Sequence, residues 1–125
     1  MLKFRVDAGP VLRSFQNLNE YLDHELHLAL DEATKEVQKT ARQEHRYKVR
    51  TGRLQRSAKQ RTKELVSEVY LDGRTARYGV FVHEGHGSWK PDRFIPKAFK
   101  KNDKLINNKL SEAIARSITK AGLSN

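Results

Sequence analysis

By type and spacing, His83, Glu84 and His86 are the residues of this chain best placed to do chemistry. Two imidazoles three residues apart fall on one side of a helical turn, where they can ligate a metal, and a carboxylate beside them can move a proton. The wider sequence argues against both uses. No further ligand cluster accompanies them, and Glu84 has no second carboxylate to work against. A packed or hydrogen-bonded histidine is expected here, with no metal and no cofactor. Ser57 and Ser88 lie in no G-x-S-x-G element, so no nucleophile elbow is present. The chain has no cysteine, which excludes disulfides and thiolate metal sites. No catalytic constellation emerges, and the chain is not expected to be an enzyme.

The stronger chemical signal is electrostatic. The formal net charge is +10, and it is unevenly placed. Residues 1–45 hold 6 basic and 8 acidic side chains, while residues 46–63 hold 8 basic and none acidic. Residues 94–125 hold 7 basic and 2 acidic ones. A block of one sign is the footprint of a polyanion partner, set against the plainer alternative of a solvated surface or an acidic protein neighbour. Lys48, Arg50, Arg53, Arg56, Lys59, Arg61 and Lys63 are the candidate phosphate-facing set, with Arg46 ahead of them. On a strand only about half of these share a face.

The elements that must carry these residues follow from periodicity. At 125 residues, with 37% hydrophobic and 32% charged side chains, the chain fits a single polar domain with a modest core. No apolar run approaches the ~20 residues of a membrane span, and MLKFRVDAGP has no apolar signal core. Leu2, Phe4 and Val6 alternate with Lys3, Arg5 and Asp7, which predicts a half-buried strand over residues 2–6. From Leu12 and Phe15 through Leu18, Leu22, Leu26, Ala29, Ala33, Val37 and Ala41 the period changes to three or four. One long helix is therefore expected over residues 10–45. At ~1.5 Å per residue it would be about 50 Å long. Either it kinks, or part of its apolar stripe packs on another subunit.

Thr51-Gly52 then marks a turn or cap, with Leu54 as the apolar anchor behind it. A basic β-hairpin is expected over residues 54–72, its strands at 57–61 and 65–71 and its turn near residues 62–64. Residues 78–95 open with Tyr78, Val80 and Val82 around Phe81, and break at Gly85 and Gly87 into a Pro-containing loop that carries Trp89. This apolar run is too short for periodicity to separate helix from strand. Trp89 is a candidate interface residue, because aromatics are enriched at contact hot spots. A C-terminal helix over residues 96–121 starts at Pro96, lines Phe99, Ile106, Leu110, Ile114 and Ile118 along one side, and stops at Gly122. The expected class is α+β: a long N-terminal helix and a C-terminal helix packed on a small antiparallel sheet.

Three motifs punctuate this order: Thr51, Gly52, Leu54 and Ser57; then Tyr78, Val82, His83 and Gly85; then Phe94, Ile95, Pro96 and Ala98. In order and spacing they resemble the head–tail joining or tail-completion proteins of long-tailed double-stranded DNA bacteriophages, often described as minor tail components. The resemblance spans nearly the whole chain. It departs at His83-Glu84-Gly85, where family members often carry Glu-Phe-Gly.

The resemblance implies a virion structural subunit made in the host cytoplasm and placed in the neck, at the head-proximal end of the tail. It would assemble with itself as a ring, expected to be a hexamer. The ring would join the head connector or adaptor to tail-terminator or tail-tube proteins and pass genomic double-stranded DNA through its lumen without base readout. No membrane partner is implied. The competing function, drawn from the basic block and the histidines, is a small basic nucleic-acid-binding protein or ribonuclease toxin.

Overall fold

The computed structural model describes residues 2–44, 52–74, 79–85 and 92–123, with residues 80–82 described by backbone alone. Helix α1 runs Gly9–Gln43 and is the axis on which the other elements pack. Its first turn holds Pro10, where a missing N–H costs nothing, and the Asp7 carboxylate accepts the Gly9 N–H at 2.9 Å. A helical turn α2, Arg53–Ser57, leads directly into strand β1, Ala58–Lys63, which pairs antiparallel with β2, Val66–Leu71. A short helix α3, Gly79–Glu84, is followed by α4, Phe94–Lys101, and α5, Asp103–Lys120. The protein is of the α+β class, with a long first helix, a two-stranded sheet and C-terminal helices.

The core forms where sheet and α4 meet on α1. Val37 and Ala41 of α1, Ala58 of β1, and Phe94 and Ala98 of α4 are buried together, with Val69, Leu71, Ile95, Phe99 and Ile106 packed around them. The sheet's face towards α1 also carries a polar cluster. The Gln60 amide reaches Asp31 Oδ1 at 3.0 Å and Thr34 Oγ1 at 2.8 Å, and Thr62 Oγ1 donates to Asp31 Oδ1 at 2.9 Å. Thr34 and Ser67 share a hydrogen bond at 2.6 Å. Half-buried polar groups thus satisfy one another across the helix–sheet seam and hold the hairpin in one register.

Helix α5 returns antiparallel along α1. Both helices present small residues to the contact, Ala29 and Ala33 on α1 against a line of Ala113 and Ser117 on α5, all buried. The buried line of α5 is therefore turned away from the expected one, and Ile114 is left exposed. Small side chains let the two axes come close, which outweighs the larger apolar residues one position on. Ion pairs flank the seam: Glu25 with Arg116 at 3.1 Å and with Lys120, Glu32 with Lys109 at 3.3 Å, and Glu44 with Lys101.

Four expectations need correction. The hairpin does not begin at residue 54: Arg53–Ser57 form a helical turn that buries Leu54 and Ser57 three residues apart, and the strands are Ala58–Lys63 and Val66–Leu71 around a turn at residues 64–65. Residues 2–6 are not a strand: Leu2, Phe4 and Val6 are 87%, 92% and 98% exposed. An alternating segment becomes a strand only beside an edge, and none of the described residues supplies one here. The C-terminal helix begins at Phe94 rather than Pro96, because a proline in the first helical turn removes an N–H that has no intrahelical acceptor. It is also not one helix, since Asn102 interrupts it and donates its side-chain amide to Thr40 Oγ1 at 2.9 Å and to the Ala98 carbonyl at 2.8 Å. The stop at Gly122 is as expected, at φ +74° with the Leu123 N–H returning to the Ile118 carbonyl.

Candidate assembly and polyanion surface

Several motif residues pack at the two ends of α3. Gly52 caps α2 in the left-handed region, at φ +76°. Leu54 and Ser57 are buried behind it, and they lie against Gly79: a Cβ at that position would stand 3.3 Å from Leu54 Cδ1 and 3.7 Å from Ser57 Oγ. Glycine lets α3 approach α2 this closely. At the other end of α3, His83 is buried and packs edge-on against the Phe94 ring, centroids 5.2 Å apart at 81°. Its Nδ1 lies 2.8 Å from Glu84 Oε1, and Gly85 then leaves the helix at φ +83°. Phe94 is fully buried, with Pro96 one half-turn on. Thus Leu54 and Ser57 meet the start of α3, and its end meets Phe94. Val82 lies on α3, while Thr51 and Tyr78 are outside the described residues.

His83 is thus packed against Phe94, and its Nε2 is buried with no hydrogen-bond partner among the described residues. Among the described residues no group of three or more His, Cys, Asp or Glu is placed to hold a metal ion. No helix among them is long and apolar enough to cross a membrane.

The candidate phosphate-facing set divides as strand alternation requires. Lys59, Arg61 and Lys63 point away from α1, on the side opposite Gln60 and Thr62. Arg61 is already engaged: its Nε donates to Glu68 Oε2 at 2.7 Å, and its guanidinium lies 4.7 Å from the Tyr70 ring centre. That pairing raises its already high pKa, chiefly through the Glu68 hydrogen bond. Lys59 and Lys63 form no ion pair among the described residues. Arg53 and Arg56 sit apart from this face, on α2. Lys48, Arg50 and Trp89 lie outside the described residues. The outer hairpin face is therefore a sparse cationic strip rather than a dense one.

Sequence reasoning missed the acidic groups that answer much of the remaining charge. Glu25 is buried, and Lys120 and then Arg116 hold its carboxyl below the usual range. Asp31 is pulled down to about 2, first by Lys35 and then by Gln60 and Thr62. The excess of basic residues in the C-terminal segment, opposite the net acidic first segment, was the available signal. Single-residue patterns carry no pairing information across 91 positions, the separation of Glu25 and Arg116.

Sequence also gave no sign of where the long apolar stripe ends. The half of α1 after Glu25 is covered, but Val11, Leu12 and Phe15 are exposed, as are the three apolar residues ahead of the helix. Comparison with protein-family models, curated proteins and solved structures finds no match to this chain.

Proposed function

We propose that this chain is a structural subunit of a phage head–tail joint, a tail-completion or neck protein that assembles as a ring between head connector and tail tube. The observation that carries the proposal is the uncovered apolar run Leu2, Phe4, Val6, Val11, Leu12 and Phe15 at one end of α1. Six large apolar side chains at one end of a polar domain are a surface for another chain. The motif order supports which assembly this is, since Leu54, Ser57, His83, Phe94 and Ala98 among its described residues are buried in packing contacts. The sparse cationic strip of Lys59 and Lys63 suits a conduit wall. Contact with phosphates there is sequence-independent and weak at physiological salt, so DNA can pass.

Native mass measurement and negative-stain imaging test the proposal, on the chain alone and mixed with the virion proteins encoded in its own genome neighbourhood. Rings, or density at the neck of partner particles, are the expected result. A chain that stays monomeric in every mixture overturns it. The packed position of His83 favours no ribonuclease: RNA is expected to be unchanged by the protein, and cleavage abolished by His83→Ala would reverse the assignment.

A further inference from the structure

Among the described residues no third strand pairs with either edge of the two-stranded sheet. On β1, the outward carbonyl of Ala58 accepts from Gln38 Nε2 at 2.9 Å and from Arg42 Nε at 3.0 Å. On β2 the register decides what points out. The Asp72 N–H donates to the Ser57 carbonyl at 2.7 Å, which continues the ladder. Hydrogen-bonded pairs alternate along an antiparallel ladder, so Ser67, Val69 and Leu71 direct their backbone N–H and C=O groups away from β1. None of these backbone groups has a backbone partner among the described residues. Beside the first residue of β2, a groove of about 600 Å³ runs between α1 and the hairpin turn. Asp23, His24 and His27 line it from α1, and Glu64, Leu65 and Val66 from the turn.

We propose that residues 2–6 of a second copy of this chain dock as an extended strand on the β2 edge and fill this groove. The occupant is argued from its complementarity. The groove offers two exposed apolar residues, Leu65 and Val66, and two carboxylates, Asp23 and Glu64. The segment LKFRV alternates three apolar residues with two cations. In an extended strand these separate onto opposite sides. Leu2, Phe4 and Val6 then cover the apolar rim, and Lys3 and Arg5 meet the carboxylates. Among the described residues the segment is strand-patterned yet unpaired, and the β2 edge has no neighbouring strand. Backbone hydrogen bonds join them without needing a large interface.

The copy must be a second one. Asp23 and His24 lie two-thirds of the way from Gly9 to residue 30, about 21–23 Å along α1 at ~1.5 Å per residue. Val6 precedes Gly9 by only three residues and reaches at most about 10 Å from it. A chain cannot lay this segment on its own β2. Donor and acceptor are different surfaces, so the contact is heterologous and propagates head to tail, closing into a ring where the rotation permits. The ring form rests on the assembly proposed above, whereas the contact itself is tested without it.

The absence of native cysteine makes the test direct. Full-length Phe4→Cys chains are mixed with Leu65→Cys chains under mild oxidation, with Phe4→Cys plus Ile114→Cys as the control pair. The first mixture is expected to form a mixed disulfide dimer at least tenfold above the control. Phe4→Asp, at a site too exposed to affect folding, is expected to abolish self-association with an unchanged circular dichroism spectrum. Lys3→Glu/Arg5→Glu is expected to weaken it, and Asp23→Lys/Glu64→Lys in the acceptor to restore it. Assembly that persists in Phe4→Asp, with cross-linking no greater than control, overturns this contact and leaves the ring proposal standing. A wild-type chain that is monomeric at all concentrations also overturns this contact, and the mixtures with virion proteins then decide the ring proposal separately.

Discussion

Phe94 is the residue on which the core turns. It is fully buried between α1, β1 and His83, so its removal opens a cavity that the surrounding helices cannot close. Phe94→Ala is expected to cost about 3–5 kcal/mol, measured by urea unfolding. That is a large share of the stability of a domain this small. Glu64 marks the opposite case. It holds φ +54° in the hairpin turn, a region that L side chains enter at a cost. Glu64→Gly is expected to stabilise the chain by about 1 kcal/mol, read as a higher urea midpoint with unchanged slope. The turn is meanwhile tied to α1 by His27, whose Nδ1 donates to the Glu64 carbonyl at 2.6 Å, and a glycine keeps that carbonyl.

At the scale of elements, two carboxylates on α1 fasten what packs against it. Asp31 holds the hairpin through Gln60 and Thr62, and Glu25 holds α5 through Arg116 and Lys120. Both folded-state pKa values are depressed, so the stabilisation is present above the unfolded carboxyl pKa and is lost as pH falls through the folded one. For Asp31 the window runs from 3.8 down to about 2. The thermal midpoint is therefore expected to be flat near neutrality and to fall steeply below about pH 4. Asp31→Asn is expected to lower the neutral-pH midpoint and flatten the acid limb, which a thermal scan series across pH measures. Helix α1 itself was legible, since a stripe of period 3.6 over so many turns admits no other element. The break at Asn102 was not, because what stops the helix is a hydrogen bond to Thr40, a residue 62 positions away.

At the scale of the molecule, charge has been sorted. Acidic side chains of α1 and its C-cap Glu44 engage Lys101, Lys109, Arg116 and Lys120, so the basic C-terminal segment is partly spent on internal seams. What remains facing outward on the hairpin is Lys59 and Lys63. Lys59→Glu/Lys63→Glu is expected to reduce retention of the protein on double-stranded DNA at low salt, by gel shift, without altering self-association. Unchanged retention would place any DNA contact elsewhere on the chain.

By itself the sequence determined the α+β class, the long first helix, the hairpin and the stop at Gly122, because each is encoded in neighbouring residues: an apolar period, a turn dipeptide, a glycine that can take positive φ. It also marked Leu54, Ser57, His83 and Phe94 as belonging together in order. Only the tertiary structure decided that Leu54 and Ser57 pack at the start of α3 while His83 meets Phe94 at its end, that Arg61 is already paired with Glu68, and that α5 buries Ala113 and Ser117 in place of Ile114. The fate of residues 2–6 was decided at the same level. Alternation specifies that a segment can be a strand, but strand formation needs a partner edge, and none of the described residues pairs with this segment.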